Sequence, residues 1–188
     1  MLNNPCGQYV LGENKAQELR AKAEYFETLP EANPPLHKPQ WHFIGYLQSN
    51  KIKDMLPHTH LLHSLDRWSL AQKLQHKLEA SAQTLPVLIQ VNAAQEDTKS
   101  GVMPHEALDF LERVNTLDRL QVQGFMTIGA HSPHEQVVRD SFKRLAEIRE
   151  QARSLGSLAP QNQALPHLSM GMSGDFEWAI EEGATLVR

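Results

Sequence analysis

The sequence predicts an α/β fold in which parallel strands alternate with helices. Three observations predict it: short apolar runs recur along the 188 residues, longer stretches of helical period separate them, and no low-complexity tract interrupts the rhythm. Hydrophobic residues make up 40% of the chain and charged residues 21%, an ordinary balance for a folded chain, so one domain over residues 1–188 is expected.

Gln8 to Leu11 is the first expected strand, and the spacing of Ala16, Leu19, Ala23 and Phe26 predicts a helix after it. Pro34 and Pro35 mark a surface connection to the second strand, Trp41 to Gly45. Leu61 to Leu65 is the third strand, followed by a helix on Leu70, Leu74 and Leu78. Val87 to Asn92 and a helix on Leu108, Leu111 and Val114 form the next unit, and Val122 to Met126 precedes a helix on Val138, Phe142, Leu145 and Ile148. A connection from Ser154 through Pro166 leads to His167 to Met170, and Thr185 to Arg188 is the seventh expected strand. A closed (β/α)8 barrel needs eight strands and an open doubly wound sheet tolerates seven, so the pattern alone leaves both open.

Composition removes several functional classes. A net charge of -4 with scattered lysines and arginines provides no footprint for nucleic acid, and no apolar run approaches a membrane span. Cys6 stands alone, so neither an intrachain disulfide nor a cysteine-based zinc site is expected, and a reducing cytoplasmic setting is. The first residues, Met1-Leu2-Asn3-Asn4-Pro5, carry no signal or transit pattern.

The most informative stretch is Leu168-Ser169-Met170-Gly171-Met172-Ser173-Gly174-Asp175, a strand, a tight turn and a helix start. Free N–H groups and the positive end of the helix dipole suit a phosphate there, while Ser173 or Asp175 as a simple helix cap accounts for the same residues. Asn14, after Gly12-Glu13, can cap the following helix or turn its amide toward a ligand. His42 shares a strand face with Ile44, opposite Trp41, Phe43 and Gly45, and taken singly reads as a hydrogen-bonded core histidine. Lys51 and Lys99 sit in polar turns after strands, where sites are commonly built and solvated lysines are commoner still. His58 and His60 share a face that excludes His63, and no carboxylate stands at ligand spacing, so no metal site is expected. Phosphate-loop, nucleophile-elbow and zinc-protease motifs are absent.

Together, Gly12-Glu13-Asn14, Trp41-His42-Phe43-Ile44-Gly45 with Leu47 to Lys51, Leu65-Asp66-Arg67, Gln90-Val91-Asn92, Lys99-Ser100-Gly101, Gly124-Phe125-Met126, Leu168 to Ser173 and Gly183-Ala184-Thr185 with Val187-Arg188 resemble the pyridoxal-phosphate homeostasis family. The resemblance spans nearly the whole chain. It implies a (β/α)8 TIM-type barrel of the alanine racemase N-terminal-domain type, with pyridoxal 5′-phosphate (PLP) bound at the C-terminal ends of the strands. It implies that Ser173 holds the phosphate and Arg188 approaches the pyridine nitrogen, and that Asn14, His42, Met126, Ser169 and Met172 line the pocket. A permanent donor beside that nitrogen weakens the ring as an electron sink, which favours carrying the cofactor over catalysis. The implied partners are the cofactor and PLP-dependent apo-enzymes.

Two departures qualify the resemblance. Nothing before Gly12 matches the family's lysine-bearing stretch, which resembles AVSKTKP, and the family's Gly-Thr phosphate contact falls beyond Arg188. The expectation is a barrel lacking its first strand and the end of its last, with unpaired edges that predict poor stability or association with another chain. Weak, noncovalent PLP binding follows. Two alternatives are an inert remnant of the family and, with less support, an amino-acid racemase, which needs the lysine and a second acid-base group.

Overall fold

In the computed structural model, which describes residues 9–29 and 38–188, the apolar periodicities become alternating strands and helices. Among the described residues six strands form one sheet: β1 (Val10–Glu13), β2 (Gln40–Phe43), β3 (Leu61–Leu65), β4 (Leu85–Gln90), β5 (Leu120–Met126) and β6 (His167–Ser169). The helices are α1 (Ala16–Thr28), α2 (Ile52–Met55), α3 (Trp68–Ser81), α4 (Ala107–Val114), α5 (Glu135–Arg153) and α6 (Phe176–Glu181). Cys6, Gln8, Pro34 and Pro35 lie outside the described residues.

The strand order is β1-β2-β3-β4-β5-β6 and every neighbouring pair is parallel. A doubly wound sheet reverses its direction of winding at a central strand. Here the winding never reverses, so successive crossovers, which favour one hand, place the helices on one face. The core shows the same asymmetry. Phe43, Leu62, Val87, Ile89, Val122, Phe125 and Leu168 point from the strands into one large cluster with Leu19, Leu70, Leu74, Leu111, Phe142 and Leu145 of the helices. Among the described residues the opposite face holds a small apolar cluster, Leu61, Leu88 and Met126 with Leu186 beside it. The fold is therefore a curled parallel half-barrel, and the open doubly wound alternative is excluded.

The seventh expected strand does not form. Leu186 makes an isolated parallel bridge to Ser169, and no longer ladder includes Thr185 to Arg188. The Thr185 hydroxyl accepts the Leu168 N–H at 2.9 Å, and both Thr185 and Leu186 donate to the Leu168 carbonyl, so the first rungs are taken up locally. At β5 a side chain replaces part of a strand. β6 pairs only with Gly124 to Met126, and the Val122 N–H is received by Oδ1 of fully buried Asn162 at 2.8 Å. Among the described residues, no helix is long and apolar enough to cross a membrane.

Candidate functional site

A cleft of about 540 Å³ opens at the C-terminal ends of the strands. Its size falls in the range of small-molecule sites. Asn14 borders it after β1, Ile44, Gly45 and Tyr46 after β2, Gln90 and Met126 at the ends of β4 and β5, Ile128 after β5, and Met172, Ser173 and Arg188 after β6. Thr98, Lys99 and Ser100 close the remaining side from the loop after β4.

Local backbone geometry places these groups. A Cβ on Gly45 would lie 2.0 Å from the Asn14 carbonyl oxygen, so only glycine lets the loops after β1 and β2 meet. Asn14 is consequently on the cleft and does not cap α1, whose N-terminal flank is Lys15 without a side-chain cap bond. In the loop after β4, Asn92 Nδ2 donates to the carbonyls of Glu96 (2.8 Å) and Lys99 (3.4 Å), while its Oδ1 receives the Glu96 N–H. Gly101, at φ +126°, packs where a Cβ would lie 2.6 Å from the Asn92 nitrogen. These contacts bring Lys99 to the cleft, with its ammonium held by Glu96 Oε1 at 2.9 Å and the Gly129 carbonyl at 2.5 Å. Lys51 borders the adjoining surface hollow instead.

The turn after β6 resolves the two readings of its acidic residue. Asp175 Oδ1 accepts the Met172 N–H at 2.6 Å, bracing the turn rather than capping α6. Among the described residues the N–H groups of Ser173 and Gly174 have no protein partner, and both residues are exposed.

Arg188 reaches across the floor of the cleft. Its Nη1 donates to Ser169 Oγ at 2.6 Å and its Nη2 to the Thr127 carbonyl at 2.9 Å. It makes no ion pair among the described residues, and burial pulls its pKa down to about 10, partly countered by the Asp175 charge. Ser169 and His42 do not border the cleft but lie beneath it, joined by His63. Burial, with the fields of His167 and His60, pulls His42 down to about 4. Burial also pulls His63 far down, assisted by His42, Arg188 and His167, and lowers His167 too. Among the described residues beneath the cleft, burial thus disfavours the charged forms of His42, His63 and His167 beside the Arg188 guanidinium. No group of three or more His, Cys, Asp or Glu among the described residues is arranged to hold a metal.

His63 and Thr127 carry no ligand-site signal in the sequence, and Gln90 enters there only as part of the Gln90-Val91-Asn92 match. Strand alternation indicates which face a residue takes but not which side chain stands opposite on the next strand.

The fold and this cleft define the class: residues 8–188 match the family described as alanine racemase, N-terminal domain. Alanine racemase from Corynebacterium glutamicum shares the fold at 15% identity with a TM-score of 0.65, over 94% of this chain and 45% of its own. Within that class the chain belongs to the pyridoxal phosphate homeostasis protein family. It is 42% identical over 183 residues to the pyridoxal phosphate homeostasis protein of Aquifex aeolicus, covering 97% of this chain and 75% of that one. The Helicobacter pylori protein of the same name, strain J99, is 40% identical over 185 residues with the same coverage. PipY of Synechococcus elongatus, solved with PLP bound, superposes with a TM-score of 0.81 at 30% identity, over 97% of this chain and 79% of its own.

Proposed function

We propose that this chain binds pyridoxal 5′-phosphate in the cleft at the strand ends and acts in PLP homeostasis as a carrier rather than an enzyme. The observation that carries the reading is the charge of the cleft: Lys99 and Arg188 border it and, among the described residues, no carboxylate does. A dianionic phosphate on an acceptor-rich ring suits that surface. Family membership and the PLP-bound relative support the same ligand.

In this reading the Ser173 hydroxyl and the unpartnered N–H groups of Ser173 and Gly174 hold the phosphate, with Lys99 as a further positive charge. Arg188, fixed by Ser169 and Thr127, presents its remaining N–H groups to the pyridine nitrogen. Because a guanidinium only donates, the nitrogen stays unprotonated. When bound, PLP supplies an aldehyde and an electron-withdrawing ring; this protein keeps that ring in its weaker state. Asn14, Met126 and Met172 contact the ligand from the cleft, while His42 and Ser169 act from below. The Lys99 ammonium is tied to Glu96 and Gly129, which supports noncovalent retention.

The wider reading follows the same evidence. The six strands are an arc of a (β/α)8 barrel of the alanine racemase type, and the large continuous core supports a single domain. PLP-dependent apo-enzymes are the recipients and the cytoplasm the setting. The test is a PLP titration followed by absorbance and thermal melting, then borohydride reduction and peptide mapping. Saturable binding with a raised melting temperature is expected, without a pyridoxyl mass on any lysine. Unchanged absorbance and melting would refute binding, and a stable adduct on Lys99 would refute noncovalent retention alone.

A further inference from the structure

The inner face of β3 carries a buried imidazole to which the cofactor reading gives no task. His63 is 2% exposed, with Nδ1 2.8 Å from Ser169 Oγ and Nε2 2.9 Å from His42 Nδ1. Ser169 Oγ also meets Arg188 Nη1 at 2.6 Å. Four side chains therefore form one hydrogen-bonded file across the interior, with the guanidinium at one end.

That end fixes the direction of every bond. A guanidinium has donors and no acceptor, so Ser169 Oγ accepts from Arg188. Among the described residues, the other polar side chain bonded to this hydroxyl is His63. If His63 also donated to it, the buried hydroxyl proton would have no acceptor, which is costly for a buried donor. Ser169 therefore donates to His63 Nδ1. The one proton of a neutral His63 then sits on Nε2 and is donated to His42 Nδ1, which leaves the His42 proton on its own Nε2. A protonated ring at either position has no acceptor nitrogen and breaks the file.

We propose that His63 is a positioning residue: through Ser169 it orients the Arg188 guanidinium, and it locks His42 in the form protonated at Nε2. Burial of both rings, which disfavours their charged forms, supports the assignment. All four groups of the file are protein side chains, so the assignment stands apart from the identity of what the cleft binds.

The test uses the full chain, unliganded, labelled with ¹⁵N-histidine and ¹⁵N-arginine, at pH 7.5. Long-range ¹H–¹⁵N correlations are expected to show protonated Nε2 and bare Nδ1 for both His42 and His63. His63→Gln keeps a donor toward His42 but offers nothing at the Nδ1 position, so it is expected to preserve the His42 form while displacing the Arg188 guanidinium resonances. His63→Asn keeps an acceptor for Ser169, so it is expected to do the reverse. An Nδ1–H or a charged ring on either histidine of the unsubstituted chain overturns the proposal, whether or not the variants fold. Arg188 resonances indifferent to His63→Gln overturn it as well. Failure to bind PLP with the expected ring forms present would remove the cofactor reading and leave the positioning role intact.

Discussion

At the scale of the residue, the interior is notable for proton bookkeeping. His42, His63 and His167 all have pKa values below the ordinary histidine value, each chiefly because burial penalises the imidazolium. Above the unfolded value near 6.5 they are neutral in both states and do not make stability vary with pH. As pH falls below it, the unfolded chain takes up protons that the folded chain refuses, so stability drops until the folded value is reached, about 4 for His42. The slope approaches about 1.4 kcal/mol per pH unit for each fully buried histidine. Denaturant titrations at pH 7, 6 and 5 are expected to show a progressive loss across this range; a flat profile between pH 6.5 and 5 would contradict neutral burial. Much of this chemistry is illegible in sequence. His42 is identified by its motif and its strand face, but His63 enters only because β2, β3 and β6 bring three inward positions into one line.

At the scale of the element, the loop after β4 decides how much of the cleft is cationic. It is held by Asn92 and by the left-handed backbone at Gly101, two positions inside motifs that the sequence marks without revealing what they do. Gly101→Ala adds a Cβ against the Asn92 backbone in a strained conformation, at an expected cost of about 1–3 kcal/mol. Urea denaturation is expected to show that loss, and PLP affinity to fall further than in Thr98→Ala, because the loop carries Lys99 away with it. Equal affinities in the two variants would mean that Lys99 contributes nothing to binding. Strands and helices were largely legible, since period 2 and period 3.6 register burial directly. β4 starts earlier than the apolar run suggests, because Pro86, a poor strand former by propensity, still pairs in register with Gln121. Thr185 to Arg188 has strand composition but not strand pairing, because the Thr185 hydroxyl intercepts the ladder at Leu168. Propensity describes a residue's own backbone and does not register such an interception.

At the scale of the whole molecule, the winding of the sheet leaves two outer edges. Among the described residues β1 pairs only with β2, and β6 is met on its far side only by the Leu186 bridge. Exposed strand edges template association. Sedimentation velocity over a range of concentrations is therefore expected to show reversible self-association, and a single monomeric species throughout would indicate that the edges are protected. The fold class was legible from the alternation of elements, but the choice between half-barrel and open sheet was not, because it depends on strand order. Order is a property of pairing between distant segments, and periodicity contains none of it.

The unequal apolarity of the two sheet faces has a calorimetric consequence. The large cluster lies between strands and helices, while among the described residues the inner face offers the small cluster Leu61, Leu88, Met126 and Leu186 beside its polar file. The heat-capacity change of unfolding scales with apolar surface exposed, so it is set almost entirely by the outer layer. Occupying or emptying the inner region shifts the midpoint and the enthalpy of the transition while leaving the curvature of the stability profile nearly constant. The curvature of the profile thus belongs to the scaffold, while its height and position respond to whatever the cleft holds.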